Sequence, residues 1–117
     1  MKIEISAEED NLIVSLEGEF DHHYADEFRE RVDEELNKGI YKNLVLELSK
    51  LWFMDSSGIG AILGRYKNLS SKTGGNVKAC GLSPQVEKVF ELAGLKKLIS
   101  IYPTLEKTLE NRRESRN

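Results

Sequence analysis

Two runs of two-residue alternation open the chain, and they constrain its fold more than any other feature. Residues 2–6 set Ile3 and Ile5 on one face. Residues 12–17 set Leu12, Val14 and Leu16 inward, with Ser15 and Glu17 outward. Asp10-Asn11 between them is turn chemistry, so the runs are predicted to pair as a hairpin, with Gly18 ending the second strand. The period then changes. Asp21 is placed to cap a helix running to about Lys38, with Ala25, Phe28, Val32 and Leu36 on one face and Gly39 at the left-handed position after it. Leu44 to Leu48 is a short apolar run that reads as a central strand. A second helix is predicted to start near Ser56 or Ser57, with Ile59, Ile62, Leu63, Tyr66 and Leu69 along one stripe, and to end at Gly74-Gly75. Asn76 to Cys80 is a further strand. Ser83-Pro84 opens a third helix, whose apolar face is Val86, Val89, Phe90 and Ala93, and Gly94 ends it. Leu98 to Tyr102 fits a short edge strand, and Pro103-Thr104 opens a last helix with Leu105 and Leu109 inward.

A hairpin followed by alternating helices and strands predicts an α/β domain, with a mixed four- to five-stranded sheet packed against about four helices. A chain of 117 residues suffices for one core. Residues 1–111 are read as that single domain and 112–117 as a polar C-terminal tail. The net charge of −3 gives nucleic acid or an anionic membrane no general reason to bind. No apolar run approaches the roughly 20 residues needed to span a bilayer, and Met1-Lys2-Ile3-Glu4-Ile5 lacks the apolar stretch of a leader. Cys80 is the only cysteine, which rules out an internal disulfide and predicts a cytoplasmic protein. Small and apolar neighbours (Val77, Ala79, Gly81, Leu82) mark it as a buried packing residue rather than a redox centre.

The informative segment is Leu51-Trp52-Phe53-Met54-Asp55-Ser56-Ser57-Gly58-Ile59-Gly60. It puts Asp-Ser-Ser-Gly where a strand gives way to a helix, the usual place for working residues in open α/β sheets. Helix N-termini favour anions, a phosphorylated serine included. Aspartate and serine are also the ordinary capping residues, so the segment is open to both readings. The aromatic run beside it favours a partner surface, because a cap needs no large apolar neighbours. Enzyme readings fail on spacing. No phosphate-binding loop is present, Gly58-Ile59-Gly60 with Gly64 does not make a dinucleotide fingerprint, and no glycine stands two residues before either serine as a nucleophile elbow requires. Those glycines are expected to let helix and sheet approach closely. No catalytic residue, cofactor or metal site is predicted, since His22-His23 are adjacent on a helix and adjacent helical residues do not face each other. Asp21 ends the second strand as Asp55 ends the third. If those strands pair, both carboxylates approach one loop; otherwise Asp21 only caps its own helix.

Gly18-Glu19-Phe20-Asp21-His22-His23 and Phe53-Met54-Asp55-Ser56-Ser57-Gly58-Ile59-Gly60 resemble the two signature stretches of the anti-sigma factor antagonist family, the STAS domain. Ala61-Ile62-Leu63-Gly64-Arg65-Tyr66-Lys67 and Leu82-Ser83-Pro84-Gln85-Val86 continue the match, most like the sporulation and general-stress antagonists. Phe20 and Ile59 stand where related sequences often have leucine. The resemblance implies a single STAS-like domain and a protein that is a substrate and a binder rather than an enzyme. Its partner would be an anti-sigma factor that is also an ATP-dependent serine kinase, and binding would release the sigma factor. Phosphorylation of the serine after the motif aspartate, here Ser56, would abolish binding, and a serine phosphatase of the metal-dependent class would reverse it. Asp21 matches the family's other acidic position, Ser57 a neighbouring hydroxyl and Gly58 the glycine that keeps the helix start open. Met54 and Ile59 are expected to give apolar docking area. Two alternatives stand beside this reading: a regulatory scaffold subunit of a stress-sensing assembly, and a small nucleotide-binding protein or enzyme using Ser56 and Asp55 directly.

Overall fold

The computed structural model describes residues 1–114. The chain begins with strands β1 (Lys2–Glu8) and β2 (Asn11–Phe20), followed by helix α1 (His22–Leu36). Strand β3 (Asn43–Met54), helix α2 (Ser56–Thr73), strand β4 (Asn76–Cys80) and helix α3 (Pro84–Leu92) come next. A short 3-10 turn at Leu95–Lys97 leads to strand β5 (Ser100–Tyr102) and helix α4 (Leu105–Glu114). The polar tail expected over 112–117 therefore begins inside α4, and its last three positions lie outside the described residues.

The five strands lie in sequence order, β1-β2-β3-β4-β5. The first pair is antiparallel and the other three are parallel. Parallel neighbours need crossover helices, and crossovers are right-handed almost without exception. A sheet that grows in one direction thus collects α1, α2 and α3 on one face. Their residues Ala25, Phe28, Val32, Ala61, Ile62, Leu69, Val86 and Phe90 share a core with Leu12, Val14, Leu16, Leu44, Leu46, Leu48, Val77 and Ala79 of the sheet. Each valine, leucine, isoleucine or phenylalanine among them contributes about 1.5–3 kcal/mol by leaving water. Helix α4 covers the other face, where Leu105 and Leu109 pack on Ile13, Val45 and Cys80. Helices α1 and α2 are also tied by an ion pair, Arg65 Nε to Asp33 Oδ1 at 3.0 Å.

Three local expectations are corrected. The hairpin turn is Glu9-Asp10 rather than Asp10-Asn11, because Asn11 pairs with Glu8 as the first residue of β2 and donates its side-chain amide to the Glu8 carbonyl. Gly18 does not end β2. It sits at φ +110°, where register shifts between β2 and β3 absorb it, and the strand continues to Phe20. Strand β3 is twelve residues long rather than five. Its second half, Ser49 to Met54, lacks alternation, and pairing with β2 holds it extended.

Candidate functional site

The C-terminal ends of β2 and β3 finish level with each other. Phe20 pairs with Met54, and the Asp55 N–H donates to the Phe20 carbonyl at 3.1 Å. Each strand is followed at once by an aspartate that caps the next helix. Asp21 accepts from the His23 N–H at 2.9 Å, and Asp55 accepts from the Ser57 N–H at 2.8 Å and the Gly58 N–H at 3.3 Å. Asp21 is therefore a helix cap, and the parallel pairing of β2 with β3 sets it one strand from the Asp55-Ser56-Ser57-Gly58 turn.

Ser56 is the first residue of α2 and is exposed, whereas Ser57 is half-buried. The Asp55 carboxylate already occupies the N–H groups of Ser57 and Gly58. A charge added at Ser56 would thus meet a helix end whose donors there are taken, next to the Asp55 carboxylate. Gly58 explains the tight seating of the helix start. A Cβ at this position would lie 2.8 Å from Met54 Cγ and 3.0 Å from both Phe20 Cγ and the Phe20 carbonyl oxygen. Gly60 and Gly64 are different, because a Cβ at either would meet nothing within 4 Å. Close approach of helix and sheet requires one of the three glycines, not all of them.

Met54 is corrected as a source of docking area. It is only 3% exposed and packs in the core between β3 and α2. Ile59 is partly buried against the same core. The apolar surface beside the turn comes instead from Trp52 and Phe53, 56% and 47% exposed. Glu19, the pairing partner of Phe53, accepts a 3.4 Å hydrogen bond from Trp52 Nε1. The aromatic run was visible in the sequence. Which of its members faced outward was not, because the strand carrying them is irregular.

The histidines are also corrected. Their ring centroids lie 4.0 Å apart, and His23 Nδ1 is 3.2 Å from Asp21 Oδ1. Adjacent residues diverge in a helix interior partly because the preceding turn blocks some rotamers. His22 and His23 are the first two residues of α1, so no earlier turn constrains them. Burial pushes the Asp21 carboxyl up, but hydrogen bonds from the His23 N–H and ring, with the charges of both imidazoles, more than offset this and hold it below its usual range. Cys80 is fully buried, and desolvation pushes its thiol up despite a hydrogen bond with Thr108. This is an unreactive environment for a thiol. Among the described residues, no helix is long and apolar enough to cross a membrane.

Comparison with known proteins places these features in context. The family model of the STAS domain matches residues 2–108. The anti-sigma F factor antagonist of Paenibacillus polymyxa is 42% identical over 102 residues, covering 87% of this chain and 86% of that protein. The phosphorylated form of the Bacillus cell fate determinant SpoIIAA superposes with a TM-score of 0.76 at 27% identity, over 94% of this chain and 98% of that one. An anti-sigma factor antagonist from Mycobacterium paratuberculosis shares the fold, with a TM-score of 0.85 at 23% identity, over 96% and 93% of the two chains.

Proposed function

The chain belongs to the STAS domain family, and from that membership we propose that it is an anti-sigma factor antagonist switched by phosphorylation of Ser56. Unmodified, it binds an anti-sigma factor that is also a serine kinase, and the sigma factor is released. The observation that carries the choice of residue is exposure. Of the two serines at the turn, Ser56 is exposed at the very start of α2, and Ser57 is half-buried behind it. A relative of the same fold that exists in a phosphorylated form supports the reading.

In the proposed reaction Ser56 Oγ forms a bond to the γ-phosphorus of ATP held by the kinase. The bond from that phosphorus to the bridging oxygen breaks, ADP leaves, and the hydroxyl proton passes to a base on the kinase. Asp55 serves here as a cap, so the base is assigned to the partner. The product carries nearly two added negative charges and three acceptor oxygens beside Asp55 and Asp21. Repulsion and desolvation at the kinase surface then disfavour the complex, and the domain itself does not need to refold. A serine phosphatase of the metal-dependent class would remove the group by hydrolysis and return the protein to its binding form. Docking area comes from Trp52, Phe53 and the exposed part of Ile59. In this reading the protein is a cytoplasmic substrate and binder rather than an enzyme.

The test is to incubate the protein with its kinase partner, recovered from native lysate, and ATP, and to map the product by tandem mass spectrometry. One phosphate at Ser56, with loss of the complex, is expected. Phosphate mainly on Ser57, or on a serine outside the turn, would overturn the assignment.

A further inference from the structure

At the start of α1 one ligand atom from each of Asp21, His22 and His23 lies within 4.8 Å of the other two. We propose that these three residues form a surface binding site for a transition-metal dication of the zinc type. One imidazole nitrogen of each histidine and a carboxylate oxygen of Asp21 supply the ligands, and the remaining position is open to water or an anion.

The geometry is close to what such an ion needs. Bonds of about 2.1 Å in tetrahedral array put neighbouring ligand atoms roughly 3.4 Å apart. Asp21 Oδ1 and His23 Nδ1 already stand at 3.2 Å. The wider separations, up to 4.8 Å, close by rotation of the two exposed imidazoles, which changes their contact with each other but leaves the core untouched. The backbone N–H of His23 holds the Asp21 carboxylate in place, so one ligand is fixed before any ion arrives. Two imidazoles with one carboxylate suit zinc, nickel or copper, whereas magnesium and calcium prefer all-oxygen ligands. The positive end of the α1 dipole opposes a cation, and the carboxylate of Asp21 at the cap offsets it. The cluster follows β2 directly, so its open position belongs to the same sheet end as Ser56. The proposal does not depend on the phosphorylation reading.

The chelator-stripped full chain is titrated with zinc chloride against a chromogenic competing chelator, with magnesium as a second probe. One equivalent of zinc should bind and shift both histidine ring resonances in the NMR spectrum, and a hundredfold excess of magnesium should not displace it. His22→Ala and His23→Ala should each weaken binding by roughly tenfold or more, because even supporting residues around a metal cost about 10–100-fold. Cys80→Ser should leave the affinity unchanged, since the thiol is buried. Failure of the wild type to bind zinc overturns the site, as does equal affinity in the double histidine variant. Binding that disappears with Cys80→Ser but survives loss of both histidines does the same.

Discussion

Helix α2 carries glycines at 58, 60 and 64, and the structure predicts opposite effects when they are replaced by alanine. In a helix interior, alanine in place of glycine gains about 0.8–1 kcal/mol from backbone entropy and propensity. Nothing lies within 4 Å of a Cβ at Gly60 or Gly64, so each should show most of that gain. For a domain of this size, 1 kcal/mol corresponds to roughly 4 °C in melting temperature. Gly58 lies in the first turn, where the gain is smaller, and its Cβ would overlap three atoms. Ordinary carbon contacts are about 3.5–4 Å, against 2.8 Å to Met54 Cγ and 3.0 Å to Phe20 Cγ and the Phe20 oxygen. The methionine can yield, but the Phe20 carbonyl is bonded to the Asp55 N–H and cannot move without shifting the junction of β3 and α2. Overpacking of this kind costs about 1–3 kcal/mol, which leaves Gly58→Ala destabilised by about 1–2 kcal/mol after the helical gain. Urea unfolding monitored by circular dichroism measures all three variants, with unchanged slopes required for the comparison. Gly58→Ala at or above wild-type stability would refute the reasoning, and so would a loss of more than 1 kcal/mol in Gly60→Ala.

Three further outcomes are expected. Ser56→Asp should melt within a few degrees of wild type, since an acid at a helix N-terminus is worth up to about 1 kcal/mol, yet bind the kinase partner far more weakly in calorimetric titration; equal affinities would remove charge as the basis of release. Asp21→Asn should keep its cap, because asparagine caps as well as aspartate, and in chelator-containing buffer should raise the melting temperature of the phosphorylated protein more than that of the unmodified one. That difference should shrink with salt as screening grows, and identical effects on both forms would show that Asp21 acts only as a cap. The Cys80 thiol, buried and pushed up by desolvation, should react with an alkylating reagent only as fast as the domain opens; rapid modification of the native protein would contradict its placement beneath α4.

Local pattern and capping chemistry determined most of the element order. Asp21, Asp55 and Ser83 each start a helix where capping chemistry predicts, and Gly74 ends α2 in the left-handed conformation. These outcomes follow from interactions within a few residues, which a single sequence displays. The site was legible to the same extent: the Asp-Ser-Ser-Gly turn falls where strand gives way to helix, and the signature stretches made its family recognisable. The tertiary structure decided what depends on residues far apart in the chain. Parallel pairing of β2 with β3 brings Asp21 level with Asp55, kept Gly18 inside a strand and extended β3 through a segment with no alternation. The same pairing turned Met54 inward and left Trp52 and Phe53 on the surface. It also separated Gly58, pressed against the Phe20 carbonyl, from Gly60 and Gly64, which face open space. Periodicity records which face of an element is apolar; what that face meets is settled only when a second strand lies beside the first.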